Sequence, residues 1–393
     1  MRAALPDLPQ VAVTRKGESR LESGHLWVYS SDVIHRGKAQ AGDIVHVVSE
    51  RGRFLGTALY SSTSQITVRL LSPGRIESLD DFLLARLSDA IALRRRIVQD
   101  SECYRLVHAD GDLLPALVVD RYGDYIVAQF LNQAMDRLSG KITASLKQLL
   151  DPKGIVARND VAVRRLEELP ADVTVLHGEI PAKVEVNMNE LKFLADLTGG
   201  QKTGIYLDQR ENYLAAARHG RGRALDCFTS TGGFALHLAS VCESVEGVDS
   251  SASALASAKA NRDANQLNNI DFREADVFHL LSGYVSARRN FDTIVIDPPA
   301  FAKNKATVDQ AIKGYRDLNL RALRLLGKGG ILVTCSCSYH VSEADLLGVA
   351  AEAALDAGKR LRVLERRAQA ADHPILLTVP ETHYLKCLIF EVL

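Results

Sequence analysis

No apolar run among the 393 residues is long enough to cross a bilayer. The opening MRAALPDLPQ carries two prolines and an acid where a secretory leader needs an apolar core. Cysteine is sparse: six residues at scattered positions, with no C-x-x-C pair, exclude a disulfide framework and a zinc site of that kind. These absences predict a reducing, cytoplasmic setting without membrane or metal. Net charge is missing too, 48 Lys+Arg against 48 Asp+Glu, so a polyanionic partner must be met by local patches. Basic residues lead at the start, 10 Lys/Arg against 6 Asp/Glu over residues 1–75, and the balance reverses to 14 against 18 over 76–187. Apolar residues make up 47% of the chain, which predicts an ordered protein of two or three domains.

The stretch RALDCFTSTGGFALHLASVCESVEGVDSS, residues 223–251, organises the rest. A buried strand ending near Asp226 and Cys227 enters the turn Phe228-Thr229-Ser230-Thr231-Gly232-Gly233. A helix follows, then a strand ending at Asp249 and Ser250. Strand, glycine turn, helix, strand and acid form the nucleotide-binding half of a doubly wound α/β sheet. The third glycine of G-x-G-x-x-G is missing, and Asp226 would repel a pyrophosphate, so a dinucleotide is disfavoured. A nucleoside carrying a cationic amine suits the site, which describes S-adenosylmethionine; a cofactor-free sheet of the same kind is the plain alternative.

Ahead of this stretch, residues 11–72 form short β-like runs around His25-Leu-Trp-Val-Tyr29, which holds the only Trp of the chain. Arg15, Lys16 and Arg20 lie nearby, so a small barrel with Trp27 in its core, or an RNA-binding barrel with a basic edge, is expected. Asp80–Val98 has helical spacing and ends in Arg94-Arg95-Arg96, read as a solvated face. Runs at Leu113–Val119 and Tyr125–Phe130 flank Asp120-Arg-Tyr-Gly-Asp124, read as a hairpin-like turn. The expected domains are 1–74, 75–188 and 189–393, the last a regular α/β alternation closing with Leu361–Glu365 and Leu385–Val392 as an antiparallel edge pair.

Ligands of open α/β sheets bind beyond the carboxyl ends of the strands. Those ends carry Asp226, Asp249, Asp276 (followed by Val277), Asp297 and Cys335/Cys337. One such Asp is commonly a helix cap; four in succession with a cysteine pair point to a site. Asp249 is assigned to the ribose hydroxyls, Asp276 to the adenine amino group and Asp226 to the amino-acid end. In Asp297-Pro298-Pro299-Ala300-Phe301 the prolines stiffen a turn against which a flipped base can lie, with Phe301 as a stacking surface. The same pattern resembles turns that methylate base nitrogens, so it does not name the target atom. A sulfur nucleophile does: C5 of a pyrimidine needs a thiolate added at C6 before it attacks a methyl donor. Cys335 and Cys337 share a face if the strand stays extended, although cysteine is also a common buried strand residue.

With HLWVY, LPALVVDRYGDY, GGQKTGIYLDQR, LDCFTSTGGFA, VIDPPAFAKNK, VTCSCS and AADHPILLTVPETHYLK in one order, the chain resembles the bacterial large-subunit ribosomal RNA cytosine-5 methyltransferases of the PUA-domain type. The resemblance implies a C-terminal Rossmann-like class I methyltransferase domain, an N-terminal PUA-like β-barrel and a small central α/β domain. It implies S-adenosylmethionine as cofactor, with Tyr206, Gln209 and Arg210 approaching it, and ribosomal RNA held by the first two domains. It places the nucleophile on Cys337, with Cys335 second and Asp297 beside the base. The turn lacks the second cysteine of the wider group, so the base that removes the C5 proton is open among Lys303, Lys305 and water. A base-nitrogen methyltransferase and a non-catalytic RNA-binding scaffold remain alternatives, as does a homodimer for the assembly.

Overall fold

A computed structural model describes residues 8–199, 205–302 and 305–393. The chain divides into two compact units. The first holds the chain up to Val184 together with Asp196–Gly199 and Ala371–Thr382; the second holds Glu185–Ala195, the run ending at Ala370, and His383–Leu393.

In the first unit, β1 (Gln10–Val13), β2 (Trp27–Tyr29), β3 (Val33–His35), β4 (Ile44–Ser49), β5 (Phe54–Tyr60) and β6 (Ile66–Ser72) form one sheet in the order β2-β6-β5-β4-β1-β3. Val11, Val13, Val28, Val45, Val47, Tyr60 and Val68 fill its core. The residues Arg15, Lys16 and Arg20 lie on a short helix, α1 (Arg15–Glu22), which Thr14 caps by accepting from the Gly17 amide. Arg20 stacks over Tyr29 at 4.7 Å and Lys16 pairs with Asp32 at 3.4 Å. Trp27 is half-buried against the core, and its Nε1 donates to Asp110 Oδ1 at 2.9 Å.

A second sheet of the same unit runs β11-β10-β9-β8-β7, from β7 (Cys103–His108), β8 (Leu117–Tyr122), β9 (Tyr125–Phe130), β10 (Gly154–Arg158) and β11 (Val173–Gly178). Helices α2 (Leu79–Ile97), α3 (Gln133–Arg137) and α4 (Ser139–Leu150) accompany it. Leu59 and Leu71 of the first sheet enter the core of the second with Leu83, Leu87, Leu106 and Phe130. Two expectations change here. The turn between β8 and β9 is only Gly123-Asp124, with Tyr122 opposite Tyr125, because Asp120 stays in the ladder and accepts from Arg105 Nε at 2.5 Å. The arginine run is not uniformly solvated either. Arg95 and Arg96 are exposed, but Arg94 is fully buried, its guanidinium clamped on both oxygens of Asp112 and donating to the carbonyls of Arg105 and Asp372.

The second unit begins with a hairpin of β12 (Val184–Met188, its first residue in the other unit) and β13 (Leu191–Ala195) and helix α5 (Arg210–His219). Then alternate β14 (Arg223–Cys227), α6 (Gly233–Leu238), β15 (Ser244–Asp249), α7 (Ala252–Ala264), β16 (Ile270–Glu274), α8 (Val277–Ser286), β17 (Phe291–Ile296), α9 (Val308–Leu325), β18 (Leu326–Ser336), α10 (Glu343–Asp356), β19 (Leu361–Arg367) and β20 (Lys386–Val392). The sheet order is β16-β15-β14-β17-β18-β20-β19. The first five strands are parallel, and β14, β17 and the second half of β18 are buried along most of their length, as strands covered on both faces are. The expected antiparallel edge pair is present, with β20 between β18 and β19.

Removing one partner of a buried ion pair strands the other charge. Arg94→Ala is therefore expected to lower the unfolding free energy of the first unit by about 3–5 kcal/mol. Urea unfolding followed by the fluorescence of Trp27, the only Trp of the chain and a residue of that unit, checks it.

Candidate functional site

The expected residues gather along one edge of the parallel sheet, where β14, β15, β17 and β18 end. Asp226 is the penultimate residue of β14 and fully buried. Its Oδ2 accepts from Thr229 Oγ1 at 2.5 Å and from the Ala235 amide at 3.0 Å, bracing the turn into α6 from within. Its Oδ1 is buried without a hydrogen-bond partner. Burial pushes its carboxyl up to about 7, against the pull of those two donors.

The turn is tight. Phe228 and Ser230 adopt positive φ of 64° and 50°, and Gly232, at φ 89°, caps α6. A side chain at Gly233 would meet the Tyr213 ring at 2.4 Å, so the second glycine lets α5 pack against the first turn of α6. Asp249 closes β15 half-exposed, its oxygens accepting from the amides of Ser230 and Ser251, both at 2.9 Å. Asp226 and Asp249 thus hold opposite sides of one turn. Ser250 beside them is exposed, and Asp276 is exposed two residues beyond β16. Asp276 caps α8 by accepting from the His279 amide at 2.8 Å, and this bond holds its carboxyl below the usual carboxylate range; Val277 is buried behind it.

Across the sheet, Asp297 follows β17 and accepts from Gln209 Nε2 at 3.0 Å. Gln209 is buried, and its Oε1 accepts from Asn212 at 2.7 Å, so the amide is fixed as a donor to that acid. The sequence had assigned Gln209 to the cofactor's neighbourhood; its contact with Asp297 could not be read there. Arg210 is buried, and its carbonyl accepts from Asn189; Tyr206 is exposed. Pro298 is buried and Phe301 half-buried, its ring against Tyr315 at 4.9 Å. Lys303 and the side chain of Lys305 lie outside the described residues.

The two cysteines differ in burial. Cys335 lies within β18, fully buried opposite Cys387, and burial with the Cys387 thiol pushes it well up. Cys337 lies one residue beyond the strand, where the pleat no longer sets its direction, and its Sγ points to the Pro298 carbonyl at 4.0 Å. It is the only one of the six cysteines that is not buried. Around it, Ser336 and Ser338 share Tyr315 Oη at 2.9 and 3.2 Å.

Neighbouring strands lie about 4.8 Å apart, so two spacings separate Asp249 from Asp297, about 10 Å. Three carboxylates, those of Asp226, Asp249 and Asp297, lie along this edge, and Asp226 Oδ1 is buried without a hydrogen-bond partner. This acidic edge suits a cationic nucleoside and not a pyrophosphate. Among the described residues no cluster of His, Cys, Asp and Glu is built to hold a metal ion.

Comparison with known proteins agrees. A PUA-like domain model matches residues 11–73 and a methyltransferase domain model matches residues 218–370. A solved structure of an assigned methyltransferase complexed with SAH superposes with a TM-score of 0.85 at 22% identity, covering 98% of this chain and 100% of that one. An assigned SAM-dependent methyltransferase from Streptococcus mutans gives 0.83 at 21% identity, with coverage of 98% and 100%. Fold and site thus define a class: methyltransferases with a PUA-like domain and S-adenosylmethionine as cofactor. Among curated relatives, "Ribosomal RNA large subunit methyltransferase I" of Shewanella denitrificans is 42% identical over 95% of this chain and 97% of its own. The protein of the same name from Tolumonas auensis is 40% identical over 98% and 99%. The chain belongs to the ribosomal RNA large subunit methyltransferase I family. No helix among the described residues is long and apolar enough to cross a membrane.

The buried acid gives a pH signature. The folded-state value of Asp226, about 7, lies above its ordinary 3.8, so the native state holds the extra proton between them. Its contribution to stability is complete below pH 4 and is lost as pH rises through 7. Asp226→Asn removes that loss: urea unfolding at pH 5 and pH 8, read in a signal of the second unit, should show a smaller drop in the variant than in wild type.

Proposed function

We propose that the protein transfers a methyl group to C5 of a cytosine in large-subunit ribosomal RNA through a covalent adduct with Cys337. The observation that carries this reading is the setting of that sulfur: the one cysteine that is not buried lies against the turn bearing Asp297, at the carboxyl edge of the sheet. The family's printed name supports ribosomal RNA as the substrate.

The cofactor, when bound, supplies an electrophilic methyl group; the chain's own residues do the rest. Asp249 and Asp276 receive the ribose and the adenine, and the Asp226 carboxylate favours the cationic amino-acid end. Tyr206, Gln209, Arg210, Phe228, Gly232, Ser250, Val277 and Pro298 line or shape that site, with Gln209 also fixing Asp297. The Cys337 thiolate adds to C6 of the cytosine, and Asp297 in its protonated form gives its proton to N3, where the displaced pair gathers, and takes it back when the ring is restored. The electron pair raised at C5 takes the methyl group, and the pair of the broken carbon–sulfur bond stays with the departing thioether. C5 then gives its proton to a base, drawn from Lys303, Lys305 or water, and the pair from that bond expels the sulfur from C6. Phe301 offers a ring for the flipped base. The division of labour follows 1–74 as PUA-like barrel and 75–188 as central domain, together holding RNA, with 189–393 carrying out the transfer in the cytoplasm.

An RNA containing 5-fluorocytidine blocks the loss of the C5 substituent and traps the adduct. Wild type and Cys335→Ala should form it; Cys337→Ala should form none, and its methyl transfer should fall by on the order of 10³ or more. A Cys337→Ala enzyme that still methylates would point to a base nitrogen, and a wild-type protein that binds RNA without transferring would point to a scaffold. A base-resolution map of methylcytosine in ribosomal RNA with and without the protein identifies the position.

A further inference from the structure

Lys386 opens β20 directly opposite Ser336, at the last rung of the ladder with β18, while Cys387 faces Cys335. In a strand that otherwise reads CLIFEV it is an anomaly, and it is only 3% exposed. An ammonium is expensive to bury without a counter-charge. Among the described residues no carboxylate forms an ion pair with it; its Nζ donates to the carbonyls of Ser338 at 2.7 Å and Tyr384 at 2.9 Å. Two of its three protons are thereby placed, both on the backbone that flanks the reactive segment.

Among the described residues, the Cys337 sulfur approaches the carbonyl of Pro298, next to Asp297 after β17; Tyr315 on α9, held neutral by burial, and Lys386 on β20 both feel its charge, and Asp345 in the first turn of α10 acts on Lys386. Lys386 is the cation among these groups, and its removal would favour the protonated thiol. Burial brings Lys386 down to about 8, and the charge that most opposes that fall is the Cys337 thiolate, ahead of Asp345.

We propose that Lys386 is a positioning residue for the nucleophile: its buried ammonium, tied to the carbonyl that follows Cys337, holds the segment in place and favours the ionised sulfur. The proposal rests on Cys337 as nucleophile. It adds that the thiol loses its proton to solvent before any RNA arrives, in exchange for the electrostatic company of Lys386. A purely structural lysine, serving only to satisfy two turn carbonyls, would leave the ionisation of the sulfur unchanged.

The test reads the thiol directly. The other five cysteines are buried, so the rate of alkylation by iodoacetamide against pH, with Cys337→Ser as background, follows Cys337 in the full-length protein. In Lys386→Met the midpoint should rise by about one pH unit or more, and alkylation at pH 7 should slow about tenfold. Lys386→Arg, which keeps its charge at every accessible pH, should retain the low midpoint and so covers the case in which the methionine variant fails to fold. A wild-type midpoint in folded Lys386→Met, or a midpoint raised in Lys386→Arg as well, overturns the proposal. Failure of the parent reading looks different: a fluorocytidine adduct formed by Cys337→Ala removes the nucleophile whatever the thiol titration shows.

Discussion

The antiparallel ladder between β18 and β20 is the constraint on which the cysteine-bearing end of β18 depends. Parallel strands alone would finish β18 at a free edge. With β20 paired along Ile331–Ser336, the strand is held on both sides up to Thr334 and by β20 alone to its last residue. Cys337 therefore leaves a rigid strand at a defined place, one residue beyond the pairing, and turns toward the Asp297-Pro298 backbone. The same ladder buries Cys335 opposite Cys387, so two cysteines separated by one residue differ in burial, the hydrogen bonding ending at the Ser336 between them.

A second constraint acts at the other end of the sheet edge. Asp226 sits where water does not reach and uses one oxygen to tie Thr229 and the start of α6 together. The backbone bought with that burial is strained at Phe228 and Ser230, and a strained turn persists only where its surroundings hold it. Asp249 completes the support from the neighbouring strand. An acid that looks from the sequence like a ligand contact is therefore first a strut, with its second oxygen left over for a cation.

Much of this was legible before the structure. The parallel strands end, one after another, at or just before an acid or a cysteine, so the sheet edge can be read off in order. The arginine run shows where periodicity falls short: helical spacing says which residues share a face, but Asp112 and Asp372, which draw Arg94 inward, lie 18 and 278 residues away. Asp120 stands between two apolar runs in the sequence, where a turn is expected, yet a cross-strand arginine keeps it in the ladder. Gln209 as a partner of Asp297, and Lys386 as a donor to the Ser338 carbonyl, depend likewise on contacts formed only by the folded chain. Lys386 does leave a trace, as a charge at the head of a largely apolar strand.

Residues Ala371–Thr382, between the last two strands of the second unit, belong to the first. Asp372 bonds the Arg105 amide at 2.9 Å, and Val379 is fully buried in the core of the N-terminal sheet. A growing polypeptide thus makes its opening two hundred residues long before it makes the segment that completes their packing. The N-terminal half must wait on the ribosome, nearly finished but unsealed, until translation is almost over, and shortening the chain from its far end would leave that early half with an open core.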